Sequence, residues 1–198
     1  GWGRPPPPAQ RPPSEHRDNM QRKFVLFLLV AGLAVVLDQA TKTWVSSSFR
    51  LFESRPVVEG WFHLTYLRNP GAAFGLFVGF PEAFRRPFFL AVTLLALTGI
   101  LVAVWRLPPR RPWLLAALAL VFGGAVGNQA DRLLRGEVVD FLDVFWRGHH
   151  WPAFNLADSA ISLGVTVLVV AELFGTRTVN RGAAASARGD PRIRKTWE

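Results

Sequence analysis

The chain has 198 residues, half of them hydrophobic, with a formal charge of +9 and no cysteine. The lack of Cys excludes disulfides, thiol nucleophiles and Cys-based metal sites, leaving carboxylates, His and hydroxyls for any chemistry. The apolar residues are bunched as in a bilayer protein, and the basic residues crowd the tails and one short loop, so membrane topology accounts for the charge better than a nucleic-acid partner does.

Residues 1–21 carry the run Pro5-Pro6-Pro7-Pro8 and alternate Pro, Arg and Glu, with little to bury; they read as a disordered cytosolic arm. The first span starts with the apolar run 24–37 and continues as an amphipathic stretch through Ala40, Trp44 and Val45. That gives about 22 residues, enough to cross roughly 30 Å at 1.5 Å per residue. A cleavable signal peptide would also begin with a basic pair and an apolar run. However, no small-x-small pattern closes this one, and three further spans follow, at 88–105, 113–126 and about 154–174. Residues 22–175 therefore form a four-span membrane domain, and 176–198 a basic disordered cytosolic tail.

Five Lys or Arg precede the first span, three (Arg106, Arg110, Arg111) lie in the short loop between spans two and three, and six follow the last, which places those segments and both termini inside. The connections at about 46–87 and 128–153 then face outward. Arg85 and Arg86 run against the rule, in a long loop where it weakens. Trp44, Trp105, Trp113 and Trp151 fall near span ends, as an aromatic belt requires. Loose alternation over 57–67 predicts short strands, and 81–87 predicts a short amphipathic segment on the interface. The expected fold is an all-α membrane protein, a four-helix bundle bearing a small extracytoplasmic β platform and an interfacial helix.

Asp38 and Lys42 share a helical face near the outer surface, acid first. They are either an ion pair fixing the helix end or a contact for a substrate headgroup. Asn69-Pro70-Gly71-Ala72-Ala73-Phe74-Gly75 is a turn of Pro and small residues, in which the backbone can approach a ligand and the Asn69 amide can both donate and accept. Gly123 and Gly127 form a small-xxx-small pair for close helix packing. After them, Asn128, Asp131 and Arg132 share a face if the helix continues, either as a structural network or, for Asp131, as direct chemistry. In 138–145, β-branched and aromatic, Asp140 and Asp143 point to opposite faces of an extended strand, so at most one joins a shared site. Asp158 lies about 6 Å below the outer surface in the fourth span. An intramembrane acid is functional unless paired, here with Lys42 or Arg132.

Two acids meeting at a membrane boundary share one proton, because like charges in a low dielectric resist joint ionisation. The ionised member can activate water while the protonated one polarises a carbonyl, which is hydrolysis without metal, cofactor or covalent intermediate. Rival catalysts are poor: His149-His150 lacks further ligand spacing, no Ser stands in a nucleophile elbow, and Lys42 is tied to Asp38.

Five blocks in order, Asp38-Gln39-Ala40-Thr41-Lys42, the turn from Asn69 to Gly75, Gly127-Asn128-Gln129-Ala130-Asp131-Arg132, Val138-Val139-Asp140-Phe141 and Phe154-Asn155-Leu156-Ala157-Asp158-Ser159-Ala160-Ile161, resemble the signatures of the lipoprotein signal peptidase (signal peptidase II) family over about residues 22–175. The resemblance implies a bacterial aspartic peptidase; with the topology above, the expectation is a monomeric inner-membrane endopeptidase with its active site at the outer face. It would remove signal peptides from diacylglyceryl-modified prolipoproteins by cleaving just before the lipidated cysteine. It further implies Asp140 and Asp158 as the catalytic pair. Asn128, Asp131, Arg132 and Asn155 would support them, and Asp38, Lys42, Asn69 and Gly71 would position substrate or hold the site. Partners would be the prolipoproteins and membrane lipids. The alternative from another class is a small ion- or proton-coupled transporter, which would place acids in mid-membrane along a pathway rather than at one boundary.

Overall fold

The computed structural model describes residues 13–72, 76–108 and 111–188. In chain order the elements are α1 (Pro13–Ser48), β1 (Ser54–Val58), β2 (Phe62–Asn69), α2 (Glu82–Arg106), α3 (Pro112–Leu134), β3 (Val138–Trp146), β4 (His149–His150) and α4 (Leu156–Arg188). Among the described residues, four helical stretches are long and apolar enough to cross a membrane: Asn19–Ser48, Glu82–Arg106, Pro112–Leu134 and Leu156–Phe174.

Four boundaries differ from expectation. The helical backbone of α1 begins at Pro13, a residue whose missing N–H costs nothing in a first turn, so 13–21 are helical rather than disordered. Likewise α4 runs on to Arg188, making 176–188 helical; residues 1–12 and 189–198 of the expected arm and tail lie outside the described residues. The expected interfacial segment at 81–87 is not a separate element, because α2 begins at Glu82 and passes through Pro87. Phe80, Phe84 and Phe88 stack four residues apart, with ring centroids 5.2 and 5.6 Å apart, and this aromatic ladder carries the chain across the proline. Finally, α3 extends past Val126 to Leu134, so the polar run from Asn128 to Arg132 is helical.

The bundle is held by close backbone approach rather than by large buried side chains. A Cβ on Gly123 would stand 2.7 Å from Ala31 O on α1, and one on Gly124 would stand 2.4 Å from Ala157 O on α4. Small residues that let helices touch are the main packing device inside a bilayer, where apolar burial gives no advantage over lipid. Phe27, Ala31, Val104, Leu115, Leu118 and Ala119 fill one end of the bundle. At that end the buried Lys23 ammonium donates to Leu107 O (2.7 Å) and Trp105 O (3.3 Å), capping the C-terminus of α2. Large apolar side chains such as Leu28, Leu29, Leu33, Leu95 and Leu163 are exposed, and so are Trp44, Trp105, Trp113 and Trp151.

At the other end lies an antiparallel sheet in the order β1-β2-β3-β4. Val45 of α1 and Phe49, just past its end, pack under it against Tyr66, Val139 and Phe141. Asn69 pairs with Val138 and Leu67 with Asp140, past an irregularity between Leu64 and Leu67. Beyond β4 the chain returns to β3: Phe141 N and Leu142 N donate to Phe154 O (3.0 and 2.8 Å), and Phe154 N donates to Leu142 O (3.1 Å). That bridge delivers the start of α4 to the middle of β3.

Candidate active site

A cavity of about 850 Å³ opens between the sheet, α3 and the first turns of α4. Asp140 and Asp158 both line it, with Asn69, Gly71, Asn128 and Arg132. Asp143 does not: strand alternation turns it away, and its carboxylate pairs with His150 Nδ1 at 2.8 Å.

Two asparagines join the acids. Asn155 Nδ2 donates to Asp140 Oδ1 (2.7 Å) and to Asn128 Oδ1 (3.2 Å), and Asn128 Nδ2 donates to Asp158 Oδ1 (2.8 Å). Asn155 also begins α4. Its Oδ1 accepts Asp158 N at 2.9 Å, while Asp158 Oδ2 accepts Asn155 N at 3.2 Å, the reciprocal pairing of a capping box three residues apart. The second oxygen of Asp140 accepts Asn69 Nδ2 at 3.0 Å; Asn69 sits beside it because it pairs with Val138, two residues earlier on the same strand face. Asp140 is 4% exposed. Burial, and next the charge of Asp158, push its carboxyl up to about 6, against the pull of the Asn69 and Asn155 hydrogen bonds and of Lys42. Among the described residues Asp158 has no ion pair, so neither Lys42 nor Arg132 neutralises it by direct contact.

Asp38, Lys42 and Asp131 are buried behind this wall and do not line the cavity. The Lys42 ammonium donates its three protons to Asp38 Oδ2 (2.9 Å), Asp131 Oδ2 (3.1 Å) and Asn128 Oδ1 (2.8 Å). Asp38 Oδ1 accepts Ala157 N at 2.9 Å, a second cap on α4, and Asp131 Oδ2 accepts Val139 N at 3.1 Å, which sets the start of β3. These contacts tie α1, α3, the start of β3 and the start of α4 into one buried network. Its effect is to hold the two elements that bear Asp140 and Asp158. Arg132 Nη2 donates to Gly71 O (3.2 Å), and its guanidinium lies 4.3 Å from the Phe89 ring centroid. Ala73, Phe74 and Gly75 of the expected turn lie outside the described residues.

Sequence reasoning passed over three members. Arg135 pairs with Asp131, and the i,i+4 spacing of acid before base signalled it. Gln39 donates from Nε2 to Asp38 (3.2 Å), Gly127 O (3.0 Å) and Asp131 (3.2 Å), with no local signal beyond its place beside Asp38. Arg85 donates to Pro70 O, and only its topological misfit singled it out.

The family model described as signal peptidase (SPase) II matches residues 30–174. The chain belongs to the signal peptidase II family. It is 52% identical over 151 residues to the lipoprotein signal peptidase of Syntrophus aciditrophicus (strain SB), covering 76% of this chain and 94% of the relative. It is 48% identical over 151 residues to that of Geobacter metallireducens (strain ATCC 53774 / DSM 7210 / GS-15), covering 76% and 92%. A solved structure described as a bacterial membrane enzyme, at 2.3 Å resolution, superposes with a TM-score of 0.69 at 33% identity, covering 76% of this chain and 88% of that one. The signal peptidase II family consists of peptidases, so this chain is a multi-pass membrane hydrolase that acts on signal peptides of prolipoproteins.

Proposed function

We propose that this family member is a monomeric aspartic endopeptidase of the inner membrane, which cleaves diacylglyceryl-modified prolipoproteins just before the lipidated cysteine. The observation that carries the reading is the convergence of Asp140 and Asp158 on one cavity, coupled through the Asn128 and Asn155 amides. Both termini and the 106–111 loop lie in the cytosol. The sheet and the cavity lie at the outer face, where the Phe80, Phe84 and Phe88 ladder meets the interface and surrounding lipid. Residues 22–175 are the peptidase domain.

The pair shares one proton, since burial and the neighbouring Asp158 charge both disfavour ionising Asp140 beside it. The ionised member takes a proton from the attacking water, while the protonated member polarises the scissile carbonyl and afterwards protonates the leaving amine. Asn128 and Asn155 keep the two carboxylates aimed at one point, Arg132 and Gly71 form the cavity wall that the substrate backbone meets, and Asn69 steadies Asp140. Asp38, Lys42 and Asp131 act at one remove by fixing α4 and β3. A transporter would need acids strung along a pathway, whereas these gather at one end of the bundle.

The test is to incubate the purified chain in lipid with a diacylglyceryl-modified prolipoprotein and sequence the products. The expected product begins with the lipidated cysteine. Uncut substrate, or cleavage elsewhere, would reject the reading.

A further inference from the structure

Two arginines from different helices grip consecutive carbonyls of the turn after β2. Arg85 Nη1, from the first turns of α2, donates to Pro70 O at 2.5 Å, and Arg132 Nη2, from α3, donates to Gly71 O at 3.2 Å. Among the described residues neither guanidinium has an ion-pair partner, and the Nε of each is buried without a hydrogen bond. A buried donor left unpaired lowers stability, so packing alone does not explain an arginine at position 85.

The turn they hold is tightly closed. Gly71 N donates to Asn69 Oδ1 at 3.0 Å, Ala72 N donates to Leu76 O at 2.8 Å, and a Cβ at Gly71 would stand 2.2 Å from that same Leu76 O. With its Oδ1 engaged by Gly71, Asn69 has Nδ2 turned to Asp140 Oδ2 at 3.0 Å. A continuous path of contacts thus runs from Arg85 through Pro70, Gly71 and Asn69 to Asp140. Arg132 lines the cavity, and so its grip on the turn is mixed with contact to whatever the cavity binds; Arg85 does not line it.

We propose that Arg85 is a positioning residue for the peptidase reaction, holding the Pro70 carbonyl so that Asn69 stays bonded to Asp140. This inference rests on the peptidase reading for its kinetic arm alone. It also gives a physical reason for a cation that runs against the charge rule for outward loops.

The experiment compares the full chain with Arg85→Gln, Arg85→Lys, Asn69→Ala and the double variant Arg85→Gln/Asn69→Ala. In cleavage of a diacylglyceryl-modified prolipoprotein, Arg85→Gln is expected to lower kcat/KM about tenfold, the scale of one hydrogen bond to a charged group. Arg85→Lys should recover part of that loss, and Arg85→Gln should add nothing in the Asn69→Ala background. The second arm needs no turnover: the side-chain carboxyl carbon of Asp140, followed by NMR in micelles, should titrate at higher pH in Arg85→Gln and in Asn69→Ala than in the parent. The other charges facing Asp140 are Asp158 on α4, Arg132 on α3 and Lys42 on α1, and none is altered by these substitutions. Multiplicative losses in the double variant, or an unshifted Asp140 titration, would overturn the proposal. If Arg85→Gln does not fold, the same two comparisons with Arg85→Lys decide it. A parent chain that leaves the substrate uncut counts against the peptidase reading, while the titration still decides the role of Arg85.

Discussion

Asn155 and Asp158 exchange two hydrogen bonds across the first turn of α4, Asp158 N to Asn155 Oδ1 at 2.9 Å and Asn155 N to Asp158 Oδ2 at 3.2 Å. One exchange both starts the helix and fixes the carboxylate that faces the cavity. The Asn155 amide nitrogen meanwhile reaches Asp140 at 2.7 Å, so a single side chain ties helix initiation to the spacing of the acids. Replacing Asn155 with Ala should cost about 1–2 kcal/mol through the lost cap, and cut kcat/KM roughly a hundredfold by freeing both carboxylates. Thermal unfolding in micelles with cleavage kinetics on the same preparation would check both; unchanged kinetics would contradict the link.

The Lys42 ammonium holds two buried carboxylates, Asp38 and Asp131, with Arg135 as the second cation on Asp131. Lys42→Met keeps most of the volume and leaves buried charge uncompensated, so a loss of about 3–5 kcal/mol is expected. Asp38→Asn removes one charge but keeps an acceptor for Ala157 N, and should be milder. Unfolding midpoints in one detergent would rank them; equal midpoints would mean the network contributes little.

Gly127 is where α3 passes the ion network. A Cβ there would stand 2.5 Å from Asp38 Oδ2, whereas a Cβ on Gly32 of α1 meets nothing within 4 Å. Gly127→Ala should therefore displace Asp38 and destabilise by about 2 kcal/mol or more, while Gly32→Ala should be neutral or slightly stabilising within a helix. Midpoints that fall equally in both variants would mean that helix propensity, not the close approach, governs this position.

Asp140 also sets a pH dependence of stability. Its folded value near 6 lies above an unfolded value of about 3.9, so between these the unfolded chain binds fewer protons and stability falls as pH rises. The group's contribution is fully present below about 4 and lost by about 6, an effect on the order of 2–3 kcal/mol. Asp140→Asn lacks this titration. Its unfolding midpoint relative to the parent should rise steadily between pH 4 and 6.5 and then level off; a constant offset would contradict it.

Much of this arrangement is legible in the residues. Bunched apolar runs mark the four spans, and i,i+4 spacing marks Asp38 with Lys42. Strand alternation separates Asp140 from Asp143. Other features were local but passed over: the Asn155 to Asp158 capping spacing, and the Asp131 to Arg135 pair one turn apart. The continuation of α3 to Leu134 stayed only one option in the sequence, because the polarity of Asn128, Gln129, Asp131 and Arg132 suits an outward connection as well as a helix when their partners on α1, α2 and α4 are unknown. The juxtaposition of Asp140 with Asp158 depends on the Leu142–Phe154 bridge, and the grip of Arg85 on Pro70 spans 15 residues. Contacts of that kind are set by the folded chain and have no local spacing to betray them.

The central claim is that Asp140 and Asp158 act as one unit on the scissile bond. The most direct measurement is single-turnover cleavage of a diacylglyceryl-modified prolipoprotein by the parent, Asp140→Asn, Asp158→Asn and the double variant, with unfolding midpoints confirming that each is folded. Each single variant should lose at least about 10³-fold in rate, and the double variant should be no slower than either, since groups acting together are lost together. Substantial turnover in either folded single variant would contradict the account.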